Sequence, residues 1–102
     1  MDLSIRRMRK EDLGWLYRLL SDPEVMRWLE PPYSREQAET FLFCAGLSEN
    51  PLIYAAEEQG VPIGYVIDHP YDAQSREIGW VLLPEYWAHG YASALTDLLI
   101  QR

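Results

Sequence analysis

The residues best placed for chemistry lie where a strand pattern gives way to a helix pattern. Arg76 to Leu83 is predicted as a strand, Pro84 ends it, and Tyr91 to Gln101 is predicted as a helix. The first N–H groups of a helix have no internal partner and carry partial positive charge, which suits a phosphate ligand. Gly90 lets such a ligand approach the backbone because it has no Cβ, and Ala92 keeps the next exposed position small. The junction therefore predicts an anion-binding helix end.

Several other kinds of site do not fit the sequence. No Gly-Lys-Ser/Thr follows the turn, as a Walker loop requires, and the three spaced glycines of a dinucleotide fingerprint are missing. His69 and His89 are expected in surface loops, so no Ser-His-Asp arrangement is predicted. No His/Cys cluster has metal-ligand spacing, so we expect no metal. Cys44, the one cysteine, is expected to be a small buried residue rather than a nucleophile.

The elements that must position this junction follow from periodicity and capping signals. The remaining strands are predicted at Leu3–Met8, Leu52–Glu58 and Val61–Asp68, and the remaining helices at Glu11–Leu20, Glu24–Leu29 and from Ser34 to about Leu47. Gly79 is expected to mark a bulge or a close backbone approach within the last strand. This order predicts an α+β (mixed α/β) fold, with a largely antiparallel sheet and helices inserted after the first strand.

Composition limits the partners. The formal net charge is -7, with 9 Lys and Arg against 16 Asp and Glu, which argues against nucleic-acid binding and suits a cationic substrate such as an amine. No apolar stretch approaches the ~20 residues of a membrane span, and the N-terminus lacks the apolar region of a signal peptide. We therefore expect a cytoplasmic protein with no membrane or nucleic-acid partner.

The segment Glu77 to Leu95 resembles the acetyl-CoA-binding motif of the GNAT acetyltransferase superfamily, in particular the branch of ribosomal-protein and aminoglycoside acetyltransferases. Gly90 and Ala92 match the small positions of the family loop Gln/Arg-x-x-Gly-x-Gly/Ala, whereas Trp87 replaces the Gln or Arg. Ile5 to Leu13 is similar to the family's first strand and helix start. The resemblance covers residues 1–102, which we interpret as a single domain.

The resemblance implies a set of binding residues. The pyrophosphate of acetyl-CoA would be bound by backbone amides from the loop residues Trp87, Ala88, His89, Gly90, Tyr91 and Ala92. The backbone of Val81, Leu82 and Leu83 would hydrogen-bond the pantetheine arm. Trp28 and Tyr33 would form walls of the acceptor site. The four tryptophans are expected in the core or lining the cleft (Trp15, Trp28, Trp80 and Trp87).

Acyl transfer to an amine needs a base that takes a proton from the ammonium group. Glu77 is the candidate because it lies on the strand nearest the coenzyme. Glu57, Glu58 and Asp68 are weaker candidates. The alternative interpretation is that Glu77 is solvated or paired with a neighbour such as Arg76.

In the family the fold continues past the coenzyme-binding helix, so the resemblance implies a domain that lacks the usual C-terminal strands and helix. We then expect an open strand edge at Arg76 to Leu83 and an uncovered apolar face at Leu95, Leu98 and Leu99. Such an edge invites pairing with a second chain, which predicts a homodimer or swapped oligomer. The predicted function is an acetyl-CoA-dependent N-acetyltransferase acting on a small-molecule or peptide amine. The alternatives are a catalytically silent coenzyme-binding or dimerisation module, or a non-functional truncated fragment.

Overall fold

Four antiparallel strands form the centre of the protein. The computed structural model describes residues 2–27, 29–70 and 72–101. The strands are β1 (Leu3–Arg6), β2 (Ile53–Glu58), β3 (Val61–Pro70) and β4 (Arg76–Leu82), and they lie side by side in the order β1-β2-β3-β4. Each neighbouring pair is antiparallel. The predicted α+β class with an antiparallel sheet is confirmed.

The helices lie between β1 and β2 and after β4, as the sequence predicts. They are α1 (Leu13–Leu20), α2 (Pro23–Met26), α3 (Arg35–Phe41) and α4 (Tyr91–Gln101). Ser34 and Gln37 form the predicted capping box at the start of α3, where the Gln37 N–H donates to Ser34 Oγ across 3.1 Å. A π-helical turn continues α3 from Leu42 to Gly46. Within the described ranges, no helix has the length and apolar character to cross a membrane.

The sheet is covered on both faces. On one face, α1 and α3 pack against Ile53, Ala55 and Tyr65. On the other face, Leu95 and Leu99 of α4 are fully buried against a cluster of strand residues (Ala56, Ile63, Val66 and Leu82). The expectation of an uncovered apolar face on α4 is therefore wrong, because the sheet itself covers it. Ile100, which is 64% exposed, is the large apolar residue that α4 leaves to solvent.

The hairpin between β2 and β3 turns at Gln59 and Gly60, both with positive φ, as an NG-like two-residue turn requires. β3 extends to Pro70, two residues beyond the predicted end, so His69 lies in a strand rather than in a loop. The register shift of the sheet falls between Ala56 and Glu57 in β2. Gly79 pairs with Ile67 in regular register, so the prediction of a bulge there is wrong.

A charged network anchors β1 to the helical layer. The carboxylate of Asp12 is buried and accepts from Nη1 and Nη2 of Arg6, at 2.9 and 2.8 Å, and from the Trp15 indole at 2.8 Å. Arg6 Nε also donates to Glu57 of β2, across 2.8 Å. Burial by itself would raise the pKa of Asp12, but the hydrogen bonds from Arg6, Trp15 and the Arg9 backbone hold that pKa below its ordinary value.

Candidate functional site

A cleft of about 560 Å³ opens along the free edge of β4. Its floor is the end of β4 and the turn that follows, one wall is the first turn of α4, and the opposite wall comes from the α2 region. The lining residues are Val25, Leu29, Trp80, Val81, Leu82, Tyr86, Trp87, Ala88, Gly90, Tyr91, Ala92 and Ser93. None of them carries a charged side chain, so an anion in this cleft must be bound by backbone groups and by the helix dipole.

The turn between β4 and α4 is held at three points. Glu85 pairs with Arg18 of α1, with 2.6 Å between the carboxylate oxygen and the guanidinium nitrogen. The indole N–H of Trp87 donates to the carbonyl oxygen of Leu82 across 2.9 Å. The rings of Tyr86 and Tyr91 pack edge to face with centroids 5.5 Å apart. The turn is therefore fixed to α1, to β4 and to α4.

The first turn of α4 lines the cleft with amides that have no partner within the helix. Gly90 has a φ of 82°, and its carbonyl accepts the first helical bond, from the Ala94 N–H at 3.2 Å. The N–H groups of Tyr91, Ala92 and Ser93 precede that bond and have no acceptor within the helix. A glycine offers no side chain that could cap them, and all three residues line the cleft. The predicted anion-binding helix end has this geometry.

The backbone of β4 alternates between its neighbour and the open edge. The Leu83 N–H donates to the Ile63 carbonyl across 2.9 Å, so it points toward β3. Because alternate residues of an antiparallel pair face the partner strand, Val81 also directs its backbone toward β3. Trp80 and Leu82 then direct theirs toward the open edge. Of the three residues expected to bind a pantetheine arm, Leu82 has the backbone orientation that such binding requires.

Most of the predicted coenzyme residues come together in the cleft: Val81, Leu82, Trp87, Ala88, Gly90, Tyr91 and Ala92 line it. Leu83 does not line the cleft and is buried in the core cluster with α1 and α3, and His89 is exposed, with its ring centroid 6.3 Å from that of Tyr91. Their roles in binding stay predictions.

Four residues of the cleft lining were not predicted as site residues from the sequence: Val25, Leu29, Tyr86 and Ser93. Ser93 is the third residue of α4, so the predicted helix start contained the signal for it. Tyr86 lies within the predicted turn itself. Val25 and Leu29 have no local signal, because the packing of the α2 region beside β4 brings them to the cleft.

Glu77 lies outside the cleft lining, at the start of β4. Leu82 lies five positions further along the chain, or about 16 Å of strand. Its side chain is half exposed and its Oε2 is 3.2 Å from Nε2 of His69, the residue opposite it in β3. Glu77 therefore contacts His69, whereas Arg76 pairs with Asp68 at 3.0 Å. A catalytic role for Glu77 stays a prediction.

A second groove, of about 490 Å³, lies on the helical side. Tyr33 lines it, as expected of an acceptor-site wall, and its hydroxyl donates to Glu30 across 2.8 Å, which raises the pKa of Tyr33. Phe41 and Cys44 also line it, so the expectation of a buried Cys44 is wrong: the π-helical turn leaves the thiol exposed. Trp28, the other predicted wall, lies outside the described residues.

The described part of the chain contains no group of three or more His, Cys, Asp or Glu side chains that could hold a metal ion.

Comparison with known proteins identifies the fold. The Acetyltransferase (GNAT) domain family matches residues 2–102. The uncharacterized N-acetyltransferase YnaD of Bacillus subtilis (strain 168) is 28% identical over 102 residues, which cover 97% of this chain and 60% of that protein.

Two solved structures are similar over nearly the whole chain. The acetyltransferase (GNAT family) from Bacillus anthracis has a TM-score of 0.88 at 25% identity, covering 99% of this chain and 61% of that one. The spermidine N-acetyltransferase from Vibrio cholerae, in complex with CoA and spermine, has a TM-score of 0.80 at 22% identity, covering 98% and 62%. The chain thus spans about three fifths of the length of these relatives. The match over residues 2–102 shows that this chain belongs to the GNAT acetyltransferase domain family.

Proposed function

We propose that this domain binds acetyl-CoA in the cleft along β4 and transfers its acetyl group to an amine. The observation that carries the proposal is the first turn of α4, where the amides of Tyr91, Ala92 and Ser93 have no acceptor within the helix. These three residues line a cleft that the end of β4 also lines. The amides would bind the pyrophosphate, and the edge groups of Trp80 and Leu82 would bind the pantetheine arm. The CoA complex of the Vibrio cholerae relative supports the choice of ligand.

We further propose that the acceptor amine enters from the groove lined by Tyr33. Leu29 lines the cleft and its neighbour Glu30 lines the groove, so the two adjoin along the chain. Glu30 and Glu36 place two carboxylates at the groove, which suits an ammonium group. In the transfer, the deprotonated amine nitrogen forms a bond to the thioester carbon, and the carbon–sulfur bond breaks. The thiolate of CoA leaves and takes up the proton that the nitrogen loses as the amide forms. Glu77 is the proposed acceptor of the ammonium proton.

The branch of the family, the domain organisation, the cellular location and the oligomeric state are further proposals. The placement within the branch of ribosomal-protein and aminoglycoside acetyltransferases rests on the segment Glu77 to Leu95. The single-domain interpretation and the cytoplasmic location rest on the composition of the sequence. We also propose a homodimer, supported by the edge of β4, which has a strand on one side only among the described residues. A monomeric mass by light scattering at micromolar concentration would contradict it.

Titration calorimetry with acetyl-CoA, followed by a thiol-release assay with a panel of amines, tests the main proposal. We expect saturable binding and thiol release that depends on the amine. Binding without release would instead support the silent coenzyme-binding module. No heat and no thermal shift at millimolar acetyl-CoA would contradict both functions.

A further inference from the structure

Trp87 connects the two halves of the cleft. Its backbone belongs to the turn that leads into α4, while its indole N–H reaches back five residues to the Leu82 carbonyl at the end of β4, across 2.9 Å. The side chain is 41% exposed, so the ring covers the outside of the turn rather than filling the core. The contact therefore fixes the distance between the strand edge and the amides of α4.

The turn needs such a constraint. Ala88, the next residue, has a φ of 62°, a left-handed conformation that is uncommon for a residue with a Cβ. That conformation is unfavourable for alanine, so neighbouring contacts must hold it. The hydrogen bond of Trp87 comes directly before Ala88 and is made by a side chain rather than by the backbone of the turn. Without it, the turn could relax and α4 would begin at a different angle to β4.

The bond also selects the backbone groups that a ligand meets. Trp80 and Leu82 direct their backbone toward the open edge, as the Leu83 to Ile63 bond requires. The indole already donates to the Leu82 carbonyl, which leaves the Leu82 N–H and the backbone of Trp80 as the open edge groups. A ligand amide that pairs with the edge of β4 must therefore do so in the one register that uses these remaining groups.

We infer that Trp87 is a positioning residue that aligns the strand-edge half of the site with the amide half, so that both bind one acyl-CoA molecule at once. This inference rests on the proposed function. A residue with this role strengthens binding of the linked ligand more than binding of either part, because it sets the distance between two subsites that the ligand must span.

Trp87→Phe tests the inference, since it keeps an aromatic ring and removes the N–H donor. We expect the variant to bind CoA about five- to tenfold more weakly than the wild type, in line with the loss of one hydrogen bond. Pantetheine and ADP, which represent the two halves of the ligand, should bind both proteins within about twofold. In the transferase assay the KM for acetyl-CoA should rise by a similar factor while kcat stays nearly constant.

Trp15→Phe is the matched control. It removes an indole hydrogen bond of similar length, the 2.8 Å bond to Asp12, outside the cleft, and should lower the melting temperature without changing CoA affinity. Equal CoA affinity in the wild type and Trp87→Phe would overturn the inference. The inference would also be overturned if Trp87→Phe weakened the binding of ADP as much as that of CoA and left pantetheine binding unchanged, because Trp87 would then be a direct phosphate contact. If the wild type does not bind CoA, the proposed function fails first and leaves Trp87 nothing to position.

Discussion

Gly64 of β3 lies opposite Leu82 of β4, and no other residue type fits at that position without moving the strands. A Cβ on Gly64 would overlap the carbonyl oxygen of Val81 and come within 2.8 Å of the Leu82 Cα. The backbones of β3 and β4 therefore lie too close for a side chain at the point where Leu82 lines the cleft. This contact between β3 and β4 helps to fix the position of Leu82, whose backbone groups at the edge of β4 would bind the proposed ligand.

Replacing Gly64 with alanine should destabilise the protein by about 2–3 kcal/mol, because the new methyl group meets backbone atoms that cannot rotate away. Urea unfolding followed by circular dichroism measures the change. Gly14→Ala is the control: a Cβ there has no heavy atom within 4 Å, and the residue lies in α1, so alanine should add about 0.5–1 kcal/mol of stability. A Gly64→Ala protein as stable as the wild type would contradict the tight approach of β3 and β4.

Ala92→Glu should weaken coenzyme binding while leaving the fold intact. A carboxylate in the first turn of α4 interacts favourably with the helix dipole, worth about 0.3–1 kcal/mol, yet it repels a phosphate at the same amides. We expect the Kd for CoA to rise at least about tenfold by calorimetry, as the loss of about 1.4 kcal/mol would give.

Ile100→Glu is the control for that variant, since it adds the same charge to the exposed far end of α4. It should bind CoA as the wild type does. Similar loss of affinity in both variants would mean that net charge alone sets binding, and the helix end would no longer be the phosphate site.

Glu77→Gln should lower kcat by about 100-fold or more if Glu77 accepts the ammonium proton, with little change in the KM for acetyl-CoA. Steady-state kinetics at several amine concentrations measure both constants. His69→Gln removes the imidazole from the 3.2 Å contact with Glu77 but keeps the carboxylate, so its kcat should stay within a few-fold of the wild type. Equal effects of the two substitutions would indicate that the contact between His69 and Glu77 holds β3 and β4 together and that the base is another group.

Asp12→Asn should cost on the order of 3 kcal/mol at neutral pH, because it leaves the Arg6 guanidinium partly buried without its main counter-charge. The hydrogen bonds that lower the pKa of Asp12 below 3.8 stabilise the folded state above that pH. This stabilisation should be lost as the pH falls below 3.8 and through the lower folded-state pKa.

The difference between wild type and Asp12→Asn should therefore shrink with acidification, as measured by denaturant unfolding at a series of pH values. Asp72→Asn serves as the control at an exposed turn, where the carboxylate accepts from Gln74 and Ser75, and it should have a smaller effect. A pH-independent difference at Asp12 would contradict the ion pair with Arg6.

Local signals in the sequence were enough for the elements and for the helix-end half of the candidate site. Periodicity distinguishes strand from helix, and the Ser34 box and the Gln59-Gly60 turn are made by residues close in sequence, so each is read without knowledge of the rest of the chain. The start of α4 is equally local, because Gly90 and Ala92 act through their own backbone. The predicted end of β3 was wrong because a residue distant in sequence determines it: β3 extends to Pro70 because Arg76 of β4 pairs with Pro70.

The sequence by itself determined that a phosphate-sized ligand could meet free amides after β4, because helix-end chemistry depends on a few consecutive residues. Only the tertiary structure decided what stands around those amides. It buried Leu95 and Leu99 against the sheet, brought Val25 and Leu29 to the opposite wall, and turned the indole of Trp87 back onto Leu82. These contacts depend on how separate elements pack in space, and no local pattern encodes that packing.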